Sequence, residues 1–180
     1  MAGNPANVKI WEDADVRILK PADIVDPDTF ETLIPANIDA AWDDAWLLAG
    51  LLDGSDGFGE SREWDDTEHT AWGYGLIKVS SRNFKMTRTF TALEANAVTD
   101  YLYSPGDTAT KVIVAKPAYV YLGFETTADD ATKERLITTM PARVTAPESN
   151  RNEEDLASRE FTCNIFPNSD KELFHRLVSA

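Results

Sequence analysis

The sequence predicts a mainly β fold, an antiparallel β-sandwich or partial barrel with one central flanking α-helix. Short segments rich in Val, Ile, Tyr, Phe and Thr are separated by turn residues along most of the chain. Hydrophobic alternation of period two is clearest over residues 83–91, and one helical period follows it. The 180 residues, 43% of them hydrophobic, suffice for one core. We therefore expect a single domain.

The first part of the chain is predicted to form a strand and then a loop. Alternation favours a strand over Val8–Leu19, and Pro and Asp dominate residues 20–28. At most a short helical turn is expected over residues 29–33. The expected organisation of the single domain is an N-terminal arm over about residues 1–38, a β core over about 39–167 and a C-terminal segment over 168–180.

The next segments contain an ambiguous apolar run and a strand. The run Trp42–Leu52 fits a helix or a buried strand equally well, and it ends at the turn Asp53-Gly54-Ser55-Asp56-Gly57. From Thr67 to Val79, bulky residues alternate with small ones, which predicts a strand that another surface approaches closely. Ser80-Ser81 is expected to turn the chain.

A second strand and a helix follow. Over Asn83–Thr91 one face is apolar and the other carries Lys and Thr, so one face is predicted to be core and the other wet. Thr91-Ala92-Leu93-Glu94 matches a capping box that begins a helix, and Ser104-Pro105-Gly106 ends it. The predicted core residues of the central segments are Trp72, Tyr74, Leu76, Phe84, Met86, Phe90, Leu93, Val98 and Leu102.

The last third of the chain is predicted to add four strands and a short helix. Cys163, the single cysteine, is expected inside one of these strands as a small core residue. The polar stretch Pro147–Asp155 is expected to be a loop. The predicted strands are Thr110–Ala115, Ala118–Glu125, Glu134–Ala146 and Arg159–Pro167, and the predicted helix is Lys171–Val178.

Charge argues against a protein that grips nucleic acid. The net charge is -14, and a protein that neutralises phosphates is normally basic. Ten acids and one base lie between Asp39 and Glu68, which fits a solvated face or loop, or an anionic surface that does not adhere to DNA. The chain has no apolar stretch of membrane-spanning length, and Met1–Asn7 lacks the features of a signal peptide. We expect a soluble protein in a reducing compartment.

No catalytic, cofactor-binding or metal-binding motif is evident. His69 and His175 lie in unrelated segments without further ligands at metal spacing. Gly73-Tyr74-Gly75 lacks the third glycine of a dinucleotide fingerprint. The turn at Asp53–Gly57 lacks the full ligand series of a calcium loop. We therefore expect a protein that is not an enzyme, with no cofactor.

Four segments in order carry a resemblance to a known family. They are Leu48-Ala49-Gly50-Leu51-Leu52-Asp53-Gly54, Ala71-Trp72-Gly73-Tyr74-Gly75, the strand Phe84–Phe90, and Thr91-Ala92-Leu93-Glu94. Together, over Val8–Phe166, they resemble the major tail tube proteins of long-tailed siphophages, particularly those that infect actinobacteria. The Trp-Gly-x-Gly strand followed by the Thr-x-x-Glu helix start is the most specific element.

The resemblance implies a structural virion protein. Six copies would close a ring through a shared inner β-barrel, and rings would stack into the tail tube through which double-stranded DNA is ejected without specific binding. Assembly in the host bacterial cytoplasm would involve the tape measure protein and the tail tip and terminator proteins, and no membrane. An anionic wall would keep the DNA sliding.

Within that scheme, a two-faced hairpin over Glu60–Thr91 would complete its hydrogen bonding against the same hairpin of adjacent copies. Either parity of its first strand suits the lumen, because Asp66, Glu68 and Thr70 are as polar as the alternate residues. Lys85 and Arg62 would pair with carboxylates of neighbouring subunits. The predicted lumen-facing residues are Glu63, Asp65, Thr67, His69, Lys85, Thr87, Thr89 and Thr91, and the predicted ring-stacking residues are Asp39, Asp43, Asp44, Asp53 and Asp56.

Two other classes of protein fit the sequence less well. A β-sandwich binding or adhesion module would be a stable monomer with its exposed aromatic residues gathered in one patch. A hydrolase would contain a pocket with paired, perturbed carboxylates.

Overall fold

The computed structural model describes residues 8–24, 29–151, 153 and 156–179. These residues form nine β-strands and two α-helices, and every strand pair among them is antiparallel. The predicted fold class is confirmed. The strands are β1 (Trp11–Leu19), β2 (Leu47–Leu48), β3 (Gly59–Ala71), β4 (Gly75–Ala92), β5 (Ala118–Ala128), β6 (Lys133–Thr138), β7 (Ala142–Asn150), β8 (Ser158–Ile165) and β9 (Phe174–Val178); the helices are α1 (Phe30–Leu33) and α2 (Ala97–Tyr103).

A single open sheet folds over at β5. Residues Tyr121–Ala128 of β5 pair with β1 on one edge, and Gly123–Thr127 pair with β6 on the other. The first three residues of β5, Ala118–Val120, pair instead with β7. β5 thus joins one layer of β2, β1, β6 and β9 to a second layer of β7, β8, β4 and β3. Strands that pass from one layer to the other make the corners of such sandwiches.

The main core lies between the two layers. Its side chains come from β1, β4, β5, β7 and β8, and Phe90 stacks on Phe161 with the ring centroids 5.0 Å apart. Leu102 of α2 is buried against the same cluster. Cys163 is buried in β8 as predicted, and burial raises the pKa of its thiol. Fully buried aliphatic and aromatic side chains of this kind supply most of the stability of a domain.

A smaller core covers the outer face of the β1, β5 and β6 layer. Phe30 of α1 and Trp46 pack there with Leu19 and Ile137. The indole Nε1 of Trp46 donates a hydrogen bond to the carbonyl of Leu33 at 2.8 Å. The ambiguous apolar run over residues 42–52 is therefore mainly an irregular cover, with strand structure only at β2.

The central hairpin turns eight residues earlier than predicted. The turn lies at Trp72–Tyr74, where the amide of Tyr74 donates to the carbonyl of Ala71 at 3.1 Å and Gly73 has φ 81°. A turn with positive φ at its third residue favours glycine. Ser80 and Ser81 lie instead inside β4, which runs unbroken from Gly75 to Ala92. The small residues that seemed to form one face of a strand are thus turn residues.

The helix begins later than the predicted capping box. Strand β4 continues to Ala92, and the carboxylate of Glu94 accepts a hydrogen bond from the amide of Leu51. The capping box is formed by Asn96 and Thr99: Asn96 Oδ1 accepts from the amide of Thr99 at 3.0 Å, and Thr99 Oγ1 accepts from the amide of Asn96 at 3.0 Å. Asparagine at this position is as favourable as threonine.

Four predictions for the last third of the chain were wrong. The first part of the expected loop, Pro147–Asn150, belongs to β7, because Glu148–Asn150 pair with β8. Residues Thr110–Ala115 form no strand, because no neighbouring strand pairs with them. Lys111 makes only an isolated bridge with Thr108. The predicted strand over residues 134–146 is two strands, β6 and β7. The predicted C-terminal helix is β9, which pairs with the free edge of β6. Tertiary pairing overrides helical periodicity in so short a segment.

The predicted core was correct at the base of the hairpin and wrong at its tip. Met86, Phe90 and Leu102 are buried, Val98 packs against the core, and Leu93 is half-buried. By contrast, four predicted core residues are exposed because the hairpin extends beyond the body of the domain. These exposed residues are Trp72, Tyr74, Leu76 and Phe84.

Candidate assembly surface

The candidate functional site is the outer part of the central hairpin. Strand β4 pairs with β8 only over Met86–Ala92. Its remaining residues, up to the turn, pair only with β3. We call the projecting segment, residues Glu63–Lys85, the arm. At about 3.3 Å per residue, the arm reaches roughly 35 Å beyond its last contact with β8.

Both edges of the arm lack a strand partner within the part of the chain that the structure describes. Strand β3 is the last strand of its layer, so its outer edge is open over Gly59–Ala71. Strand β4 is open on its other edge from Gly75 to Lys85. An open edge of this length presents a row of unpaired N–H and C=O groups that can pair with another chain.

One face of the arm is polar from Glu63 to His69 and from Lys78 to Lys85. Pairing places His69 opposite Lys78, Thr67 opposite Ser80, and Glu63 opposite Lys85, and paired residues share a face. His69 Nε2 lies 3.0 Å from Ser80 Oγ. The residues that the sequence predicted to face a lumen therefore do share one face, with the exception of Thr91. The polar face contains Ser61, Glu63, Asp65, Thr67, His69, Lys78, Ser80, Arg82, Lys85, Thr87 and Thr89.

Thr91 does not belong to the open part of this face. Only 7% of its surface is exposed, and its hydroxyl donates to the carboxylate of Asp56 at 3.2 Å. The turn that contains Asp56 and precedes β3 therefore covers Thr91. The sequence also missed Lys78, Ser80 and Arg82, because the expected turn at Ser80-Ser81 separated them from the strand to which they belong.

The opposite face of the arm is partly aromatic and aliphatic. The rings of Trp64 and Phe84 lie 5.1 Å apart between centroids, and both residues are exposed. Val79 and Leu76 continue this row towards the tip, paired with Glu68 and Thr70. Phe84 and Met86 lie on the same face of β4, so this apolar row extends the buried face of β4 onto the arm.

A β-bulge maintains this division into two faces. Trp64 opposes both Asn83 and Phe84, and Asn83 has φ 53°, the left-handed conformation that Asn tolerates. The Asn83 amide donates to Asp65 Oδ2 at 3.0 Å, and the Lys85 ammonium lies 3.2 Å from Asp65 Oδ1. These hydrogen bonds lower the pKa of Asp65, that of Asn83 most.

The two strands of the arm carry opposite charges. Strand β3 has five acidic residues and one basic residue, whereas β4 has four basic residues and no acidic one. Within the single chain, Lys85 contacts Asp65 and Arg62 contacts Glu60 at 2.7 Å, and the expected pairing of Lys85 and Arg62 across subunits stays a prediction. The polar face is also not anionic: its carboxylates, on Glu63 and Asp65, are outnumbered by three cations.

The acids predicted to stack rings occupy two separate turns. Asp43 accepts a hydrogen bond from the amide of Ala45, and Asp39 and Asp44 are exposed in the same segment. Asp53 accepts hydrogen bonds from Ser55, which lower its pKa, and lies near the start of the hairpin with Asp56. Their role in stacking stays a prediction.

Comparison with known proteins does not assign the chain: no protein family model matches it, and no curated protein matches it significantly. Among the described residues, no helix is long and apolar enough to cross a membrane, and no group of three or more His, Cys, Asp or Glu side chains is arranged to hold a metal ion. The arm is therefore the feature of the described structure that most needs a functional explanation.

Proposed function

We propose that this chain is a tube-building subunit of the phage tail type, and that its arms line the tube. The observation that carries the proposal is the arm itself, a long hairpin with two open edges. An arm placed beside an identical arm pairs β3 of one copy with β4 of the next, and the repeat is a continuous antiparallel sheet. Closure of that sheet into a barrel removes every open edge.

Charge favours this head-to-tail pairing over the symmetric alternatives. Two β3 edges brought together would oppose five acids to five acids, and two β4 edges would oppose cations to cations. Pairing β3 with β4 brings unlike charges together, and each favourable cross-strand pair contributes about 0.2–1 kcal/mol. Head-to-tail contacts generate rings when the rotation closes, whereas symmetric contacts stop at a dimer.

The two faces of the arm fit the two sides of a tube wall. The polar face suits a water-filled channel, since its side chains from Ser61 to His69 and from Lys78 to Thr89 are polar. The row of Trp64, Leu76, Val79 and Phe84 suits the outer side, where it would be covered by the bodies of the assembled copies. With the polar face turned inward, Glu63, Asp65, Thr67 and His69 would line the lumen. Each copy places three cations and two carboxylates on this face, so the wall has only a small net charge.

The remaining parts of the proposal come from the resemblance to siphophage tail tube proteins. The resemblance alone implies six copies per ring, stacking of rings in the virion and passage of double-stranded DNA. It also implies contacts with tape measure, tail tip and terminator proteins. Assembly would take place in the host cytoplasm. On this proposal the chain has no catalytic role.

Negative-stain electron microscopy of the concentrated purified protein tests the proposal. We expect rings or hollow tubes, formed spontaneously or after addition of a tail tip complex. Analytical ultracentrifugation over a range of concentration and salt gives the same answer in solution. A monomer under all of these conditions, with the tail tip complex included, would refute the proposal.

A second function is favoured by one observation. Four exposed aromatic residues lie on the arm, Trp64 and Phe84 near its base and Trp72 and Tyr74 at its tip, and exposed aromatic groups are typical of a binding or adhesion module. A stable monomer that retains a soluble glycan or protein ligand through this patch would support that alternative. The open strand edges favour the tube, because a binding module gains nothing from leaving them unpaired.

A further inference from the structure

The arm ends in an exposed aromatic tip. Trp72 is fully exposed and Tyr74 is 87% exposed, at a turn that projects from the body. The tip is also free of negative charge: no acid occurs between Glu68 and Glu94, whereas Lys78 and Arg82 lie just behind the turn. Such a group of exposed rings marks a contact with another surface.

A cavity of about 480 Å³ lies at the opposite end of the hairpin. We call it the base pocket. Its apolar walls are the rings of Trp11, Phe58 and Phe90, and Arg88 also lines it. Carboxylates of Glu12, Asp13, Asp15 and Asp53 surround it. The pocket thus combines aromatic walls with a strongly acidic surround.

Arg88 is an incompletely satisfied group in this pocket. The residue is 9% exposed and its guanidinium lies 4.6 Å from the centroid of the Phe124 ring. Its Nε is 3.6 Å from Glu60 Oε2, an ion-pair distance that is too long for a hydrogen bond, and Nε and Nη1 have no hydrogen-bond acceptor among the described residues. Burial lowers the pKa of Arg88, although Glu60 opposes this effect. A buried donor without an acceptor is costly, so an incoming oxygen acceptor would be stabilising.

The tip and the base pocket complement each other in shape and charge. The pocket is large enough for aromatic side chains, whose rings prefer edge and stacked contacts with other rings and attract a guanidinium. The phenol oxygen of Tyr74 is an acceptor that Arg88 lacks. The ammonium of Lys78 would lie near the acidic surround. Among those acids, burial raises the pKa of Asp15, although Arg17 opposes this effect.

The tip cannot fill the pocket of its own chain. Thirteen residues of β4 separate Arg88 from the turn, which corresponds to roughly 40 Å of extended strand. Arms paired side by side in one ring have their tips next to tips, because adjacent strands are only about 5 Å apart. A pocket that receives a tip must therefore belong to a copy displaced by about one arm length along the arm.

From these observations, we infer that the aromatic tip, Trp72 and Tyr74, seats in the base pocket of a second copy in the adjacent ring. This inference rests on the proposed tube. It explains why the arm continues past the body and why Asp53, one of the predicted ring-stacking acids, lies at the pocket. The contact is head-to-tail, so it propagates without limit along the tube axis.

Cysteine cross-linking in the full-length assembled protein tests the contact. Tyr74→Cys places a thiol on the tip, and Leu51→Cys places one at the pocket, since Leu51 lines it and is 71% exposed. The two variants are assembled together with an excess of unmodified protein, so that a defect in either variant does not block assembly. Mild oxidation followed by non-reducing electrophoresis detects disulfide-linked pairs. The native Cys163 is buried and gives no background.

The control pair combines Tyr74→Cys with Lys116→Cys, a residue exposed outside the pocket. We expect the tip–pocket pair to cross-link about tenfold more than this control, because a preformed contact raises the effective concentration of the thiols. Equal yields, or no cross-link in tubes visible by microscopy, would overturn the inference and leave the proposed tube intact. If no rings or tubes form, the proposed function fails, and this contact fails with it.

Discussion

At the scale of single residues, the ion pair of Arg135 and Glu125 holds the irregular cover onto the sheet. Arg135 Nε donates to Glu125 Oε2 at 2.8 Å and Nη1 donates to the carbonyl of Ala40 at 2.7 Å. The indole of Trp42 donates to the same carboxylate at 2.7 Å, and the guanidinium lies 5.1 Å from the Trp42 ring centroid. A strand charge pair thus fixes a loop that has little regular structure of its own.

Replacement of Arg135 by alanine should destabilise the domain strongly. Arg135 is 6% exposed, so Arg135→Ala leaves a largely buried carboxylate without its cation, a change that costs about 3–5 kcal/mol. The free energy of unfolding from urea titration measures the effect. Arg176→Ala is the matched control, because Arg176 pairs with Glu134 at 2.6 Å on the surface, where a pair contributes about 0–1 kcal/mol. Equal losses in the two variants would contradict this account.

The same pair predicts how stability depends on acid. Burial by itself would raise the pKa of Glu125, but hydrogen bonds from Arg135 and Trp42 hold the pKa below its usual 4.5. The unfolded chain therefore takes up this proton at a higher pH than the folded one. The contribution of Glu125 is complete above the unfolded pKa and is lost as pH falls through the folded pKa.

Urea titrations of the wild type and Glu125→Gln from pH 7 to pH 3 test this dependence. We expect the wild-type advantage to be full at pH 7 and to shrink as the pH is lowered below 4.5, the ordinary pKa of the carboxyl. An advantage that stays constant over the whole range would show that ionisation of Glu125 does not contribute.

Gly123 is a residue-scale requirement of the same region. A Cβ built on Gly123 collides with the six-membered ring of Trp42, which lies directly on the strand. Gly123→Ala should cost about 1–3 kcal/mol, because the indole must shift and loosen its hydrogen bond to Glu125. Thermal unfolding measures the loss. Gly54→Ala, where nothing lies within 4 Å of the added Cβ, should leave the midpoint nearly unchanged.

At the scale of elements, strand patterns were predicted well where both faces have a defined environment. Over residues 86–90, alternation gave the correct strand and the correct buried face, because Met86, Arg88 and Phe90 are buried whereas Thr87 and Thr89 are only partly buried. The same alternation failed over residues 67–79. Here the bulky residues are exposed in the single chain, so their apolar character gave no information about the core of the domain.

Local signals were weaker than tertiary pairing at the ends of elements. Thr91 and Glu94 match a capping box, but Thr91 is held in β4 by its pairing with Glu160 of β8. Similarly, Phe174 and Leu177 have helical spacing, but the open edge of β6 pairs with them as a strand. Neither partner is adjacent in sequence, so local patterns alone favoured the wrong element.

The sequence predicted which residue types form the candidate site better than it predicted where they lie in the fold. Lys85, Thr87 and Thr89 do share one face with the alternate row from Glu63 to His69, and the position of this face in a lumen stays a prediction. The charge contrast between the strands was missed because the predicted strand boundary at Ser80-Ser81 put Lys78 in the acidic strand. Glycines at positions 73 and 75 were the available signal for the true turn.

The arm should be dispensable for folding of the body. A variant that lacks residues 66–81, with Asp65 joined to Arg82 through Asn-Gly, keeps the whole pairing of β4 with β8. The replacement is a favoured two-residue hairpin turn. We expect circular dichroism and the unfolding midpoint to remain close to those of the full chain, while rings and tubes are lost. Loss of the native spectrum would show instead that the arm is part of the folding unit.

At the scale of the whole molecule, the net charge of -14 opposes assembly while the charge pattern of the arm directs it. Like-charged copies repel over roughly 8 Å at physiological ionic strength. Within that distance, β3 meets β4 of the next copy, and unlike charges attract. Added salt weakens both effects, so a salt titration alone does not separate them. A comparison of two variants that have the same net charge but differ in the charge pattern of the arm is the more informative experiment.

Reversal of charge on β4 should abolish ring formation. The double variant Lys78→Glu and Arg82→Glu changes the net charge by the same amount as Lys116→Glu and Lys171→Glu, which lie outside the arm. Both double variants increase the repulsion between copies equally, but only the first turns favourable cross-strand pairs into unfavourable ones, at about 1–2 kcal/mol per interface. Because every interface of a ring carries this cost, sedimentation should show rings for the control variant and monomers for the arm variant. Rings formed equally by both would mean that backbone pairing alone sets the direction of assembly.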